Sequence, residues 1–205
     1  MTDFAAIPTT TLADLLSREQ VLDIGIRPLW TSMPQLAGPA FTVRCPAGDN
    51  LMLHAAIYRA APGSVVVVEA GDVDYAVAGG NVCAVAQRRG IAGFVIDGVI
   101  RDVAEVREMG FPVFARGVIP IPGTKAAVAP LNTAVRCGGA LVHPGDTVVA
   151  DEEGVVVVPQ ARREQILRDA KARLAKEAAE SLDDWERSHH ARIEAILLDG
   201  GFIEA

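Results

Sequence analysis

The sequence predicts an α/β fold, extended by antiparallel strands and followed by a C-terminal helical arm. Three observations carry that prediction. Between about residues 40 and 117, short β-branched runs alternate with small-residue segments of helical period. From there to residue 159 the chain turns β-rich, with turn signals at Gly138-Gly139, Pro144-Gly145 and Glu153-Gly154. From 160 to 198 it is highly charged and helical in pattern, until Asp199-Gly200-Gly201 stops the run. Residues 1–160 therefore read as one α/β domain and 161–205 as the arm.

In chain order, "TTTLADLLSRE" has the form of a short opening helix with a Thr cap, and "AFTVRC" alternates like a strand. In "GDNLMLHAAIYRAAPG", Asp49 is placed to cap a helix whose apolar stripe includes Leu53, Ala56 and Ile57, and Pro62-Gly63 ends it. "SVVVVEA" is a strand buried on both faces. "GGNVCAVAQRRG" is a glycine turn opening a second helix, stopped by Gly90. "GFVIDG" is the next strand, "RDVAEVREMG" a helix closed by Gly110, and "FPVFARG" another strand. In the arm, Ile166, Leu167, Leu174, Leu182 and Trp185 need a surface to cover them, in this chain or in a neighbouring subunit.

Half of the 205 residues are hydrophobic, enough for a sizeable core, and only 5% are aromatic, so that core is aliphatic. The formal charge of −7, from 19 basic and 26 acidic residues without a basic stripe, argues against nucleic acid as a partner. No stretch approaches the roughly 20 apolar residues of a membrane span, and the N-terminus lacks the basic and apolar regions of a secretory signal. Cys45, Cys83 and Cys137 are scattered without metal-ligand spacing, which reads as reduced structural thiols in a cytoplasmic protein.

The residues that could do chemistry cluster at two strand ends. Arg101 and Asp102 fall beyond the carboxyl end of a strand, the edge where α/β proteins tend to bind ligands. Asp102 and Glu105 lie three apart and share a helix face, where two acids repel unless a cation or base sits between them. A hard cation that takes one or two carboxylates and keeps its waters suits that pair. The turn before the second helix offers backbone N–H groups of Gly80, Asn81 and Val82 to an anion. If the two strands are neighbours, turn and arginine face one crevice and suit a small 2-oxo acid. His54, on an apolar helix, reads as packed or partly exposed rather than as a ligand; His189 and His190 lie in the arm. Lys125, Lys171 and Lys176 fall outside these motifs, which argues against a lysine Schiff base.

Gly80, twenty residues, Arg101-Asp102, two residues and Glu105 form a spacing that resembles the RraA-like proteins. These include the class II 4-hydroxy-4-methyl-2-oxoglutarate aldolases, which are also oxaloacetate decarboxylases. "GDN" at 48–50, "GGNVCAVA" at 79–86, "GFVIDGVIRD" at 93–102 and "DEEGVVVVP" at 151–159 are similar too, and the resemblance spans about residues 10 to 175. It implies a β/β/α sandwich of the phosphohistidine-domain (swivelling) type, assembled as a homotrimer or homohexamer with the site at a subunit interface. It also implies a Mg²⁺- or Mn²⁺-dependent lyase that releases pyruvate from a small 2-oxo acid.

By the same resemblance, Asp102 matches the metal ligand and Arg101 the substrate-binding arginine. Gly79, Gly80, Asn81 and Val82 match the substrate loop, and Glu105 a second acid that holds metal-bound water. Some aldolases of the family carry an acid where this chain has Gly80, so the preferred substrate is left open. Glu177 or Glu180 of the arm corresponds to a glutamate that completes a neighbour's site. Other RraA-like proteins regulate ribonuclease E by binding it, a role that would leave Arg101, Asp102 and Glu105 without a purpose.

Overall fold

The computed structural model describes residues 3–202. Its centre is a seven-stranded sheet in the order β1-β5-β4-β3-β2-β8-β9. The strands are β1 (Arg27–Pro28), β2 (Leu36–Cys45), β3 (Val65–Ala70), β4 (Gly93–Ile100), β5 (Val113–Val118), β8 (Thr147–Asp151) and β9 (Gly154–Val158). Strands β2 to β5 run parallel; β1, β8 and β9 join antiparallel. The edge strands β1 and β9 approach each other, so the sheet curls into a nearly closed barrel. A separate hairpin, β6 (Val135–Cys137) and β7 (Ala140–Val142), packs against it.

The long strand β2 joins the two halves of the sheet. Its residues 36–39 pair antiparallel with β8, and residues 40–45 pair parallel with β3. The sequence pattern places only residues 40–45 in a strand; Gly38 and Pro39 mask the first half. Gly38 is required there because a Cβ would overlap the carbonyl oxygen of Gly63.

Side-chain alternation explains the valine runs. Val66 and Val68 of β3 face the helices α2 (Leu51–Ala56), α3 (Gly80–Arg88) and α4 (Val103–Glu108), while Val65 and Val67 face the interior of the curl. The predicted stops hold: Gly90 and Gly110 follow α3 and α4 with φ of 78° and 66°, the left-handed conformation that ends a helix. Cys45, Cys83 and Cys137 are free thiols, all buried. Burial pushes the Cys83 thiol up to about 12 and the Cys45 thiol up to about 11.

Three local expectations are corrected. The opening helix α1 is short, Thr9–Ala13, and no threonine caps it; Pro8 occupies the cap position. The Thr9 hydroxyl and N–H instead donate to Asp151 at 2.6 and 2.8 Å, tying the N-terminus to the sheet. The fourth strand does not end at Gly98 but continues to Ile100 past a bulge between Ile96 and Val99. The arm is two helices, α5 (Arg163–Ala179) and α6 (Leu182–Asp199), broken at Ser181, whose hydroxyl caps α6 by accepting from the Asp184 N–H.

Helix α5 covers its apolar stripe on its own chain. Ile166 and Ala170 are buried with Phe4 and Leu12, and Leu167 and Leu174 pack against the same cluster. Helix α6 has no buried residue, and Leu182 and Trp185 remain exposed. No helix among the described residues is long and apolar enough to cross a membrane.

Phe94 is fully buried on β4 and meets Phe111 edge to face, with ring centroids 4.9 Å apart. Phe94→Ala is expected to cost about 3–5 kcal/mol, read as a shift in the urea midpoint at unchanged slope. A loss below about 1 kcal/mol would mean that this layer of the core collapses around the gap.

Candidate functional site

The two motifs meet because β3 and β4 are parallel neighbours. The loop after β3 runs alongside the end of β4: the Val77 N–H donates to the Val99 carbonyl, and the Arg101 N–H to the Ala78 carbonyl, each at 3.0 Å. The N-terminus of α3 is thereby held against Arg101 and Asp102.

Asp102 precedes α4 with φ 56° and ψ 35°, the left-handed region that non-glycine residues seldom adopt. This backbone turns its carboxylate away from its own helix, which it does not cap. Its Oδ2 accepts the Gly80 N–H at 3.1 Å and lies 3.4 Å from Arg101 Nε. The expected cradle is therefore smaller than the sequence suggests. The Gly80 N–H is spent on Asp102, while those of Asn81 and Val82 have no protein acceptor among the described residues.

The two glycines are there for space. A Cβ at Gly79 would lie 2.5 Å from Asp102 Oδ2, and one at Gly80 would overlap Glu105 Oε2. Glu105 thus stands against the buried Gly80, beside the same turn that Asp102 grips.

Gly79, Asn81, Val82, Arg101 and Asp102 line a cavity of about 180 Å³. Asn50, His54 and Lys125, which the sequence does not single out as site residues, line it too. Lys125 lies far from the motifs in sequence and close to them in space, so distance along the chain is no argument against its involvement. Backbone bonds hold it there, from the Asn50 N–H to the Thr124 carbonyl and from the Thr124 N–H to the Gly48 carbonyl at 2.8 and 2.7 Å, together with Asp49. Its Oδ2 accepts from the Thr124 hydroxyl and the Ala126 and Ala127 N–H groups, at 2.9, 2.6 and 3.2 Å. Its Oδ1 accepts the Leu51 N–H at 2.9 Å. The cap position of α2 is nevertheless Asn50, one residue beyond the expected Asp49, with no side-chain cap bond, and α2 ends at Ala56, short of the expected stop at Pro62-Gly63.

Asn50 is 3% exposed and donates its amide to the carbonyls of Ala76 and Gly123, which fixes the orientation of the group. Its Oδ1 is left without a partner, the one such buried side-chain atom among the described residues. An unpaired buried acceptor beside a polar cavity marks a place for a ligand donor. Burial pushes His54 down to about 4, helped by the Lys125 charge, so its imidazole is neutral near pH 7.

A larger cleft of about 840 Å³ lies elsewhere, between Arg18, Arg116 and Arg136. The Arg116 guanidinium there is already paired with Asp97 and Asp23.

Among the described residues no three or more His, Cys, Asp or Glu side chains group as a metal site. The chain does present Asp102 with its Oδ1 free of hydrogen bonds to the described residues, and Glu105 one turn on. That donor set fits a hard cation that keeps most of its waters, and does not fit a closed zinc site. In the arm, Glu177 pairs with Arg173 at 2.8 Å and Glu180 ends α5, both exposed. His189 stacks on Trp185, and His190 lies 3.5 Å from Glu194.

The curled α/β sheet thus carries a guanidinium, a carboxylate and two free amide N–H groups at its strand ends, the edge where α/β proteins tend to bind ligands. Residues 9–157 match the RraA-like family, described as Aldolase/RraA, and the chain belongs to that family. A protein of Halalkalibacterium halodurans named "Putative 4-hydroxy-4-methyl-2-oxoglutarate aldolase" is 41% identical over 180 residues, covering 87% of this chain and 85% of that one. The structure of Streptomyces coelicolor RraAS2, described as an unusual member of the RNase ES inhibitor RraA family, is 30% identical with a TM-score of 0.77, covering 86% of this chain and 92% of that one. The RNA-processing inhibitor RraA of "Thermus thermophilis" is 28% identical with a TM-score of 0.67, covering 74% and 92%.

Two outcomes are expected of this geometry. Asp49→Ala strands the 124–127 segment and costs about 2–4 kcal/mol by urea unfolding. Burial raises the Asp49 carboxyl, but hydrogen bonds from Ala126, Leu51, Thr124 and Ala127 outweigh it and hold the group below its ordinary range. Its contribution is therefore complete above the ordinary carboxylate range and fades as pH falls through the lowered value, a loss absent from Asp49→Ala. Separately, Gly80→Ala is expected to fold with little change in Tm and to show Glu105 swung aside in a crystal structure. A displaced α3 with Glu105 unmoved would contradict that reading.

Proposed function

We propose that this protein is a divalent-metal-dependent lyase that breaks a C–C bond of a small 2-oxo acid and releases pyruvate. The substrates this reading names first are 4-hydroxy-4-methyl-2-oxoglutarate, in an aldolase reaction, and oxaloacetate, in a decarboxylation. The observation that carries it is the convergence of Arg101, Asp102, Lys125 and the free N–H groups of Asn81 and Val82 on one cavity of about 180 Å³. The relative named as an aldolase supports it.

The substrate carboxylate binds the Asn81 and Val82 N–H groups and Lys125. The Arg101 guanidinium faces the 2-keto oxygen and stabilises the negative charge that grows there as the bond breaks. Glu105, through a water, takes a proton from the 4-hydroxyl in the retro-aldol direction and returns one to C3 of the enolate. Asp102, with Glu105 behind it, would hold Mg²⁺ or Mn²⁺, which supplies Lewis acidity at the keto oxygen. Lys125 acts as a cation and forms no Schiff base.

Cleavage of either substrate leaves the same pyruvate enolate, so one site serves both reactions. The curled sheet with helices on its outer face is read as the β/β/α arrangement of the swivelling type. Assembly is proposed as a homotrimer or homohexamer in which Glu177 or Glu180 reaches a neighbour's site.

A second reading, a non-catalytic regulator that binds ribonuclease E, is favoured by the RNase-inhibitor descriptions of the two solved structures. It gives no role to the cavity.

The test is pyruvate release from both substrates with Mg²⁺, with EDTA, and with Asp102→Ala or Arg101→Ala. Turnover is expected with Mg²⁺ alone, reduced about 100-fold or more in each variant. Borohydride added with pyruvate is expected to leave Lys125 unmodified. Release no faster than the metal blank would refute these two substrate assignments; failure on other 2-oxo acids as well would leave the regulatory reading.

A further inference from the structure

Arg101 and Asp102 border two cavities. Besides the one described above, a second of about 240 Å³ lies beyond the same pair, at the carboxyl ends of β4 and β5. Its other walls are Val103, Val118, Ile119 and Pro120. The two differ in chemistry. The first holds Lys125, His54 and the unpaired Asn50 Oδ1 as well as Arg101. The second has hydrocarbon walls and no cation except Arg101, whose Nε already lies 3.4 Å from Asp102 Oδ2. Val118, the last residue of β5, is 53% exposed, so its apolar surface is open to whatever occupies the space.

We propose that this second cavity receives the part of the substrate beyond the bond that breaks, and selects an uncharged alkyl group there. The proposal rests on the lyase reading and names its substrate class: 4-hydroxy-2-oxo acids with an alkyl substituent at C4. The head of such a molecule, C1 to C3, occupies the polar cavity. The C3–C4 bond then lies beside Arg101 and Asp102, and C4 with its substituent falls among Val118, Ile119 and Pro120. A base takes the 4-hydroxyl proton and the C3–C4 bond breaks with its electron pair on C3. C4 leaves as an aldehyde, and a proton delivered to C3 completes pyruvate. No oxidant or reductant is consumed. A second carboxylate at C4 would find no cation there besides Arg101, which the keto oxygen engages, whereas each added methylene gains contact with Val118, Ile119 and Pro120.

The experiment uses the full-length protein with Mg²⁺. Pyruvate release is measured from 4-hydroxy-2-oxopentanoate, 4-hydroxy-2-oxohexanoate and 4-hydroxy-4-methyl-2-oxoglutarate, for the native protein, Val118→Lys and Val118→Ala, with folding checked by circular dichroism. The expected result is kcat/KM roughly tenfold or more higher for the alkyl substrates than for the dicarboxylate. Val118→Lys is expected to narrow or reverse that ratio by placing a cation in the cavity, and Val118→Ala to preserve its direction. Equal or greater turnover of the dicarboxylate by the native protein overturns the proposal and leaves the lyase reading standing, as does a ratio unmoved in folded Val118→Lys. Pyruvate from none of the three overturns both.

Discussion

The site depends on one hydrogen bond, from the Gly80 N–H to Asp102 Oδ2. It forms because Asp102 takes a left-handed backbone and so points across to the neighbouring helix instead of along its own. Residues in that region cost about 1–3 kcal/mol and persist where their surroundings over-determine them. Here the surroundings are two glycines without side chains, the adjacent guanidinium, and the run of backbone bonds that locks the loop after β3 to the end of β4. The same bond turns the other carboxylate oxygen, the free N–H groups and Arg101 toward shared space. Asp102 is thus both a brace of the fold and the proposed metal ligand.

What the sequence makes legible follows from the range of the interactions. Gly79, Gly80, Arg101 and Asp102 sit at predicted strand and helix ends, and parallel neighbours bring those ends together. Their meeting is readable from local pattern plus one topological rule. Valine runs and the helix stops at Gly90 and Gly110 are local as well. Lys125 is not. It reaches the cavity because Gly48, Asp49 and Asn50 together bind the segment 123–127, contacts that no periodicity announces. His54, whose apolar helix predicts a packed or partly exposed side chain, is half-buried as expected and also lines the cavity, since burial and function do not exclude each other. The left-handed Asp102 is unreadable because aspartate before a helix ordinarily signals a cap.

The fold errors share a cause. The strand interiors of β2 and β4 contain Gly38-Pro39 and Asp97-Gly98, residues that elsewhere mark turns. In β4 they mark a bulge: Asp97 binds Arg116 and the Gly138 N–H, and Gly98 packs where a Cβ would meet Ala70. The interruption carries the strand onward and sets where Arg101 and Asp102 emerge. In the arm, Ser181 and Asp184 carry a cap signal that a reading for charge and period passes over.

The clamp that Asp49 places on Ala126 joins residues 77 apart in the chain. Closing a loop of that length costs more entropy than pairing β3 with its neighbours, and that entropy is spent before the contact returns anything. The parallel strands and their helices can therefore be in place while the lysine side of the cavity is still open chain. A nascent or partly refolded molecule would show native-like secondary structure and a buried aliphatic core, yet have no complete pocket. A ligand bound in the cavity would therefore act as a latch on that closure.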